Sequence, residues 1–313
     1  MKKYLPIVLA SVLLVLLGYT AISKKSTKST ENAIDTTTDI GGFAKPRSCA
    51  RVPQFLRKMG ATSPIIDLSQ ERYKGIAFIL GKERNKVLHP KIWERFENFS
   101  TYALDESGNI YLAPMPYISI KPSTFNLQKN LYKLDSKTGK IAIWKHFDDV
   151  KPDGTNPFGI ISLDYDCDDQ TLWVSAIDET DYRNQRGVIY HIDVKSQQIM
   201  QKIEGFDALT LRLLHTTKGK YLLAGSAKES KLYAFKIEDG KLLKNPIPLF
   251  TLDNTQAFIR KIKIKGKNRL AIETIPFSYT LIAQTAKRDR NPYTVQWNPE
   301  KKSWKLTKKG YEK

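Results

Sequence analysis

The sequence predicts an all-β protein, a β-propeller of five or six four-stranded blades, preceded by one N-terminal transmembrane or signal helix. Two observations support the propeller. A pair of strand motifs recurs in fixed order along the chain, and the strands are short, with Tyr, Trp, Ile, Val and Leu alternating with polar residues. A third observation, an uncharged apolar run near the N-terminus, predicts the helix.

The apolar run extends from Tyr4 to Ile22 and contains no charged residue. A run of about 20 apolar residues crosses a bilayer as a helix, whereas the apolar core of a signal peptide spans about 7–15 residues. Residues 1–23 are therefore expected to form an uncleaved anchor, with a cleaved signal peptide as the alternative. The rest of the chain is expected to face the periplasm or the cell exterior, anchored in the first case and secreted in the second.

Residues 24–45 are rich in Ser, Thr and Lys and lack apolar periodicity, which is typical of a solvated linker. Residues 46–313 are expected to form the propeller as one domain, since 41% of the chain is hydrophobic. The domain contains both cysteines, Cys49 and Cys167. In an oxidising compartment they can form one long-range disulfide, and two unpaired buried thiols are the alternative.

Two motifs alternate along the predicted domain. The first is a polar turn followed by a short apolar strand, found at 105–113, 166–176, 216–225 and 265–273. The second is an alternating strand, a polar turn and a return strand, found at 130–144, 188–202, 231–245 and 294–306. Each recurs after roughly 40–60 residues, which is the length of a propeller blade. Four units are visible, and residues 46–98 leave room for another.

Two segments carry a resemblance to known propellers: FSTYALDESGNIYLA (99–113) and NPFGIISLDYDCDDQTLWVSAID (156–178). They resemble the superfamily of NHL-type, gluconolactonase (SMP-30-like) and strictosidine-synthase-like propellers, in which Pro-x-Gly-Ile/Leu opens an inner strand. The resemblance implies the fold over about two blades. For the lactonases it also implies a divalent metal held over the channel by a Glu, two Asn and an Asp. One of those Asn positions falls inside Pro-x-Gly, where this sequence has Phe158.

Three residues are candidate metal ligands or acid/base groups: Asn156, Asp178 and Glu273. Asp178 and Glu273 end equivalent strands in two different blades, so their side chains are expected near one mouth of the channel. Oxygen ligands of this kind suit calcium or another divalent cation. Solvated strand-end residues are the alternative. The acidic run at 164–169 also has the spacing of a calcium loop, but a hairpin turn explains it equally well.

The formal net charge is +19, which favours binding to acidic polymers or anionic lipids. The densest basic segment, 260–269, supplies the candidate binding residues Arg260, Lys261, Lys263 and Lys265. Its lysines alternate with isoleucines, so a strand here places them on opposite faces. Two interpretations stay open: protective charge on an exposed outer strand, or a patch that binds a polyanion.

Together these features predict a membrane-anchored, extracytoplasmic propeller that acts as a ligand- or partner-binding module. The expected partners are the membrane, through the N-terminal helix, and an anionic envelope polymer, lipid headgroups or an envelope protein. The alternative function is a metal-dependent hydrolase of the lactonase or esterase type. Nucleic acid is not expected as a partner, because the basic residues are not interleaved with stacking aromatic residues.

Overall fold

Short alternating strands build five antiparallel sheets, which are the blades of a five-bladed β-propeller. The computed structural model describes residues 31–35, 38–45, 47, 49–69, 72–96, 98–115, 122–177, 179–181, 183–279 and 291–308. The blade number agrees with the lower of the two predicted values. The predicted N-terminal helix, 1–23, lies outside the described residues, and no helix within them is long and apolar enough to cross a bilayer.

The blades follow chain order, and blades 2 to 5 each begin at the inner strand. An additional strand, β1, comes first (Glu31–Asp35). Blade 1 contains β2 (Ile65–Asp67), β3 (Ala77–Leu80) and β4 (Lys86–Leu88). Blade 2 contains β5 (Asn98–Leu104), β6 (Ile110–Met115), β7 (Asn130–Leu134) and β8 (Ile141–His146). Blade 3 contains β9 (Ile160–Asp166), β10 (Thr171–Ala176), β11 (Val188–Asp193) and β12 (Ile199–Glu204).

Blade 4 contains β13 (Ala208–Thr216), β14 (Gly219–Ser226), β15 (Lys231–Glu238), β16 (Lys241–Leu242) and β17 (Ile247–Thr251). Blade 5 contains β18 (Phe258–Ile264), β19 (Arg269–Ile275), β20 (Asn291–Asn298) and β21 (Ser303–Lys308), and β1 pairs with β21 at its outer edge. One short α-helix, α1 (Gln54–Lys58), and two 3-10 helices, Lys91–Phe96 and Pro122–Lys129, lie between strands.

The two predicted motifs are the two hairpins of a blade. The first motif forms the inner hairpin, such as β9–β10, and the second forms the outer hairpin, such as β11–β12. Because the motifs alternate along the chain, each blade finishes before the next one starts. The sequence prediction of the repeating unit is therefore confirmed.

A β-bulge recurs at the same place in four inner strands. The pairing register shifts by one residue at Ser100, Ile161, Leu209 and Arg260. Two of these residues link to the equivalent residue of the adjacent blade: Ser100 Oγ donates to Ile161 O at 2.5 Å, and Arg260 Nη1 donates to Leu209 O at 2.8 Å. The bulges thus expose carbonyl groups that bind neighbouring inner strands around the channel.

Hydrophobic clusters fill the spaces between successive blades. Separate clusters join blade 1 to blade 2, blade 2 to blade 3, blade 3 to blade 4, and blade 4 to blade 5. Blade 3 lies in the middle of this series, and β9 and β10 are buried along their whole lengths. Within the described part of the chain, no such cluster joins blade 5 to blade 1.

Residues 38–60 form a strap across the end of the propeller that carries the inner hairpin turns. The strap meets blades 5, 4 and 2 in turn through Phe43 N to Asn268 Oδ1 (2.6 Å), Ala44 N to His215 O (2.8 Å) and Arg51 N to Asp105 O (3.3 Å). Between the last two contacts, a disulfide links Cys49 to Cys167 of blade 3. Ile40 is fully buried, so part of the predicted linker, 24–45, packs on the propeller.

Candidate functional site

Blade 5 has one buried face and one exposed face. Ile262, Ile272 and Tyr293 occupy paired positions on the buried face, which packs against blade 4. Lys261 and Lys263 project from the other face, and 53% of each side chain is exposed. The predicted separation of lysines and isoleucines is therefore correct.

The exposed face is strongly basic. We call it the basic face and define it by Lys261, Lys263, Lys265, Arg269 and Lys305, all of them exposed. Arg269, Gln296 and Lys305 share one cross-strand row, and Lys263 pairs with Ala271 in the next. Glu273 lies opposite Lys261, and its Oε1 is 4.0 Å from the Nζ atoms of both Lys261 and Lys263. Within the described residues, the basic face as defined has five basic side chains and Glu273 as a neighbouring carboxylate, so these six groups together carry a positive charge.

Two details of the sequence interpretation change. The strand that carries the lysines, β18, is the innermost strand of its blade and lies beside β13, so the lysines do not protect an outer edge. Arg260 occupies the bulge, and its guanidinium group donates to Leu209 O of blade 4. Lys261, Lys263 and Lys265 are thus the predicted binding residues that remain on the basic face.

Two of the predicted metal ligands, Asn156 and Glu273, lie in different blades. Asn156, in the loop before β9, is buried; its Nδ2 donates to Ile177 O at 2.8 Å and to Thr180 O at 3.2 Å, while its Oδ1 accepts from Phe158 N. Glu273 lies on the basic face, and Asp178 lies outside the described residues. Among those residues, no three His, Cys, Asp or Glu side chains are grouped to hold a metal ion.

An apolar cluster occupies the end of the inner strands opposite the strap. Phe158 packs against Phe277 with ring centroids 5.1 Å apart, and Phe258 and Leu209 belong to the same cluster. Phe158, at the position where the resemblance to lactonases implies a metal-binding Asn, is therefore a buried aromatic residue. The adjacent position 159 requires glycine, because a side chain there would collide with the carbonyl group of Gln128.

Sequence reasoning missed a buried carboxylate beside this cluster. Asp207 is fully buried; its Oδ2 accepts from Tyr279 Oη at 2.5 Å, and its Oδ1 accepts from Thr180 Oγ1 at 2.8 Å and Gly187 N at 2.6 Å. Burial raises the pKa of Asp207 despite these three donors, and burial together with the Asp207 charge raises the pKa of Tyr279. Asp207 therefore holds together loops that follow three different strands.

The channel contains a second buried carboxylate. Asp164 Oδ1 accepts from Arg212 Nη1 at 3.1 Å, and its Oδ2 accepts from Leu213 N at 2.7 Å. Burial raises the pKa of Asp164, although Arg212 opposes the shift. This ion pair binds the inner strands of blades 3 and 4 to each other.

The ammonium group of Lys220 lies among three carboxylates of the acidic run at 164–169. The Nζ atom of Lys220 lies 2.7 Å from Asp166 Oδ2, 2.9 Å from Asp169 Oδ2 and 3.4 Å from Asp168 Oδ2. Burial lowers the pKa of Lys220, but its hydrogen bonds to Asp166 and Asp169 outweigh that effect and raise it. A lysine from blade 4 therefore forms ion pairs with the acidic turn in which the sequence suggested calcium. Asp168 also accepts from His215 Nε2 at 2.9 Å, which lowers the Asp168 pKa.

A cleft of about 270 Å³ lies between blades 3 and 4 and is partly lined by His191. The His191 ring stacks on Trp173 at 3.8 Å, and its Nε2 atom is 2.8 Å from Thr171 Oγ1. Burial lowers the pKa of His191 to about 4. The imidazole is therefore neutral at pH 7 and serves as a flat packing surface.

No protein-family model and no curated protein matches the sequence. Solved structures that are similar include a putative gluconolactonase (TM-score 0.45, 11% identity, covering 89% of this chain and 92% of that one). They also include Kuenenia stuttgartiensis hydrazine synthase (0.44, 11%, 92% and 69%) and a glucose dehydrogenase (0.42, 13%, 80% and 78%). These similarities are distant, and no property of those proteins is carried to this chain.

Proposed function

We propose that this protein is a membrane-anchored, extracytoplasmic β-propeller that binds an acidic partner through the basic face. One observation carries the proposal: Lys261 and Lys263 stay exposed on an inner strand, whereas the equivalent strand of blade 3, β9, is buried along its whole length. A basic sheet face that is exposed in the described part of the chain, on a protein of net charge +19, attracts anions and accelerates their association.

The shape of this face suits a broad acidic surface better than a small anion. Its basic groups are distributed along β18, β19 and β21, and neighbouring strands lie about 4.8 Å apart. The five side chains are therefore spread over three strands instead of converging on one point. A partner with several negative charges can contact them together without burying any single lysine.

The disulfide supports the proposed compartment. Cys49 and Cys167 are paired, and such long-range disulfides persist in oxidising compartments outside the cytoplasm. The apolar run from Tyr4 to Ile22 supports membrane attachment. The hydrolase alternative has no comparable support, because Asn156 uses its amide group to hold backbone and Glu273 faces two lysines.

Binding is tested with the full-length chain in detergent, using poly-L-glutamate as the acidic probe. The variant K261Q/K263Q/K265Q is compared with K137Q/K140Q/K195Q, which loses the same charge from exposed turns of blades 2 and 3. We expect the dissociation constant to rise at least tenfold in the first variant and less than twofold in the second. Equal changes would mean that net charge alone determines binding, and the proposal would be wrong.

The compartment is tested by blocking thiols in intact cells before denaturation. We expect Cys49 and Cys167 to remain unlabelled until a reductant is added, and protease added from outside to digest the propeller. Labelling of both thiols without reductant would place the domain in a reducing compartment and contradict this part of the proposal.

A further inference from the structure

We infer that the basic face lies against anionic lipid headgroups of the same membrane that anchors the chain. The inference rests on the proposed function, because it takes residues 4–22 as the anchor. It specifies the acidic partner as a lipid surface.

The tether to the anchor is short. The apolar run ends at Ile22 and β1 begins at Glu31. At about 3.5 Å per residue, the intervening chain spans at most about 30 Å. Because β1 is the outermost strand of blade 5, that blade is the part of the propeller held closest to the anchor.

The strand register measures how far the lysines lie from the tether. Glu31 pairs with Thr307, Thr307 with Thr294, Thr294 with Ala271, and Ala271 with Lys263. This row crosses four strand spacings of about 4.8 Å, or about 19 Å in total. Lys263 is therefore nearer to the start of β1 than the tether is long, and the basic face reaches the headgroups before the tether is fully extended.

The face also has the geometry that surface electrostatics requires. The Debye length at physiological ionic strength is about 8 Å, so only charges that come close to the headgroups contribute. A flat sheet face brings several lysines to that distance together. Each basic residue near an anionic leaflet improves partitioning roughly fivefold, so three lysines give roughly a hundredfold.

Because the propeller is tethered, this modest preference for anionic lipid is sufficient to keep the basic face against the membrane. A short flexible link turns docking into an intramolecular step with an effective concentration in the millimolar range. Free acidic polymers lack this advantage. The position of the basic face, in the blade that the tether enters, thus favours the membrane as its partner.

The experiment uses the full-length chain in phosphatidylcholine vesicles, with and without about 30% phosphatidylglycerol. A membrane-impermeant amine reagent labels exposed lysines, and mass spectrometry measures the rate at each site. Lys137, Lys140 and Lys195 serve as internal controls on blades 2 and 3. We expect labelling of Lys261, Lys263 and Lys265 to slow at least threefold in the anionic vesicles, the controls to be unchanged, and about 0.5 M salt to restore the rates.

A second measurement tests whether the slower labelling comes from docking of the whole basic face and not from a change at each labelled amine alone. In K261Q/K263Q/K265Q, Lys305 of the same face should lose its protection in anionic vesicles. Equal labelling of Lys261 and Lys263 in both lipids, with the chain still floating with the vesicles, would overturn this inference alone. A chain that floats with neither vesicle would instead refute the anchoring on which the proposed function depends.

Discussion

Removing the Cys49–Cys167 disulfide should lower the stability of the propeller substantially. The bond joins residues 118 apart in sequence. In the chain-entropy model, closing a loop of this length removes about 16 cal/mol/K from the unfolded chain, or about 4.9 kcal/mol at 25 °C. Total stabilities of 5–15 kcal/mol are usual, so the bond contributes a large share.

The native strap should nevertheless persist in the variant C49A/C167A. It is held on both sides of the bond by hydrogen bonds, including Trp297 Nε1 to Gly41 O at 2.8 Å and Gln54 N to Ser136 Oγ at 3.0 Å. The loss of stability should therefore come mainly from the greater freedom of the unfolded chain. The melting temperature should fall by about 9 °C, because the entropy of unfolding, at about 2.1 cal/mol/K per residue, is about 560 cal/mol/K for residues 46–313.

The assay is urea unfolding followed by tryptophan fluorescence, with and without a reductant. We expect reductant to reproduce the effect in the wild type, to change nothing in C49A/C167A, and each single alanine variant to match the double variant. The dependence of stability on urea should steepen, because the uncrosslinked chain exposes more surface. A loss below about 1 kcal/mol would refute the reasoning that the cross-link stabilises the propeller by restricting the unfolded chain.

Three further perturbations test the buried polar groups. Lys220→Met should cost about 3–5 kcal/mol in urea unfolding at pH 7, since it removes the cation that pairs with the buried Asp166, whereas the control Lys218→Met, at an exposed ion pair, should cost less than about 1 kcal/mol; equal losses would contradict this. Tyr279→Phe should cost about 1–3 kcal/mol and should destabilise more at pH 8 than at pH 4, because the charged form of Asp207 needs the donor; a smaller loss at pH 8 would argue against it. The pKa of His191 is lowered to about 4 in the folded protein, so the unfolded chain takes up a proton at this histidine first as the pH falls from about 6.5. The free energy of unfolding of the wild type should therefore decrease by up to about 3 kcal/mol by pH 4. His191→Phe should remove this dependence of stability on pH, and an unchanged dependence would exclude His191 as its source.

Local patterns in the sequence were sufficient for the architecture. Each hairpin of a blade is built from residues close together in the chain, so the alternation of apolar and polar residues and the turn composition predict it directly. The period of the two motifs then limits the number of blades to five or six, and the structure shows that there are five. The same alternation separates Lys261 and Lys263 from Ile262, which is why the basic face was predictable as a row of lysines.

The neighbours of the lysine row and of the acidic run at 164–169 are set by contacts between residues that are distant in the sequence. The sequence placed the lysines on an outer strand, but inner and outer strands share the same alternation, and only the packing of β18 beside β13 distinguishes them. Likewise, the spacing of the acidic run suited calcium, and only the fold brings Lys220 from the next blade to Asp166.

The sequence by itself determined the repeating hairpins, the blade period and the composition of the basic strand, because these depend on neighbours within a few residues. The tertiary structure alone decided that the strap crosses the blades and that Cys49 forms a disulfide with Cys167. It also decided that Asp207 accepts a hydrogen bond from Tyr279 and that Lys261, on one face of blade 5, is exposed. Each of these contacts joins residues far apart in the chain. Local side-chain patterns specify which residues are apolar or charged, whereas blade packing specifies which of them meet and which remain exposed.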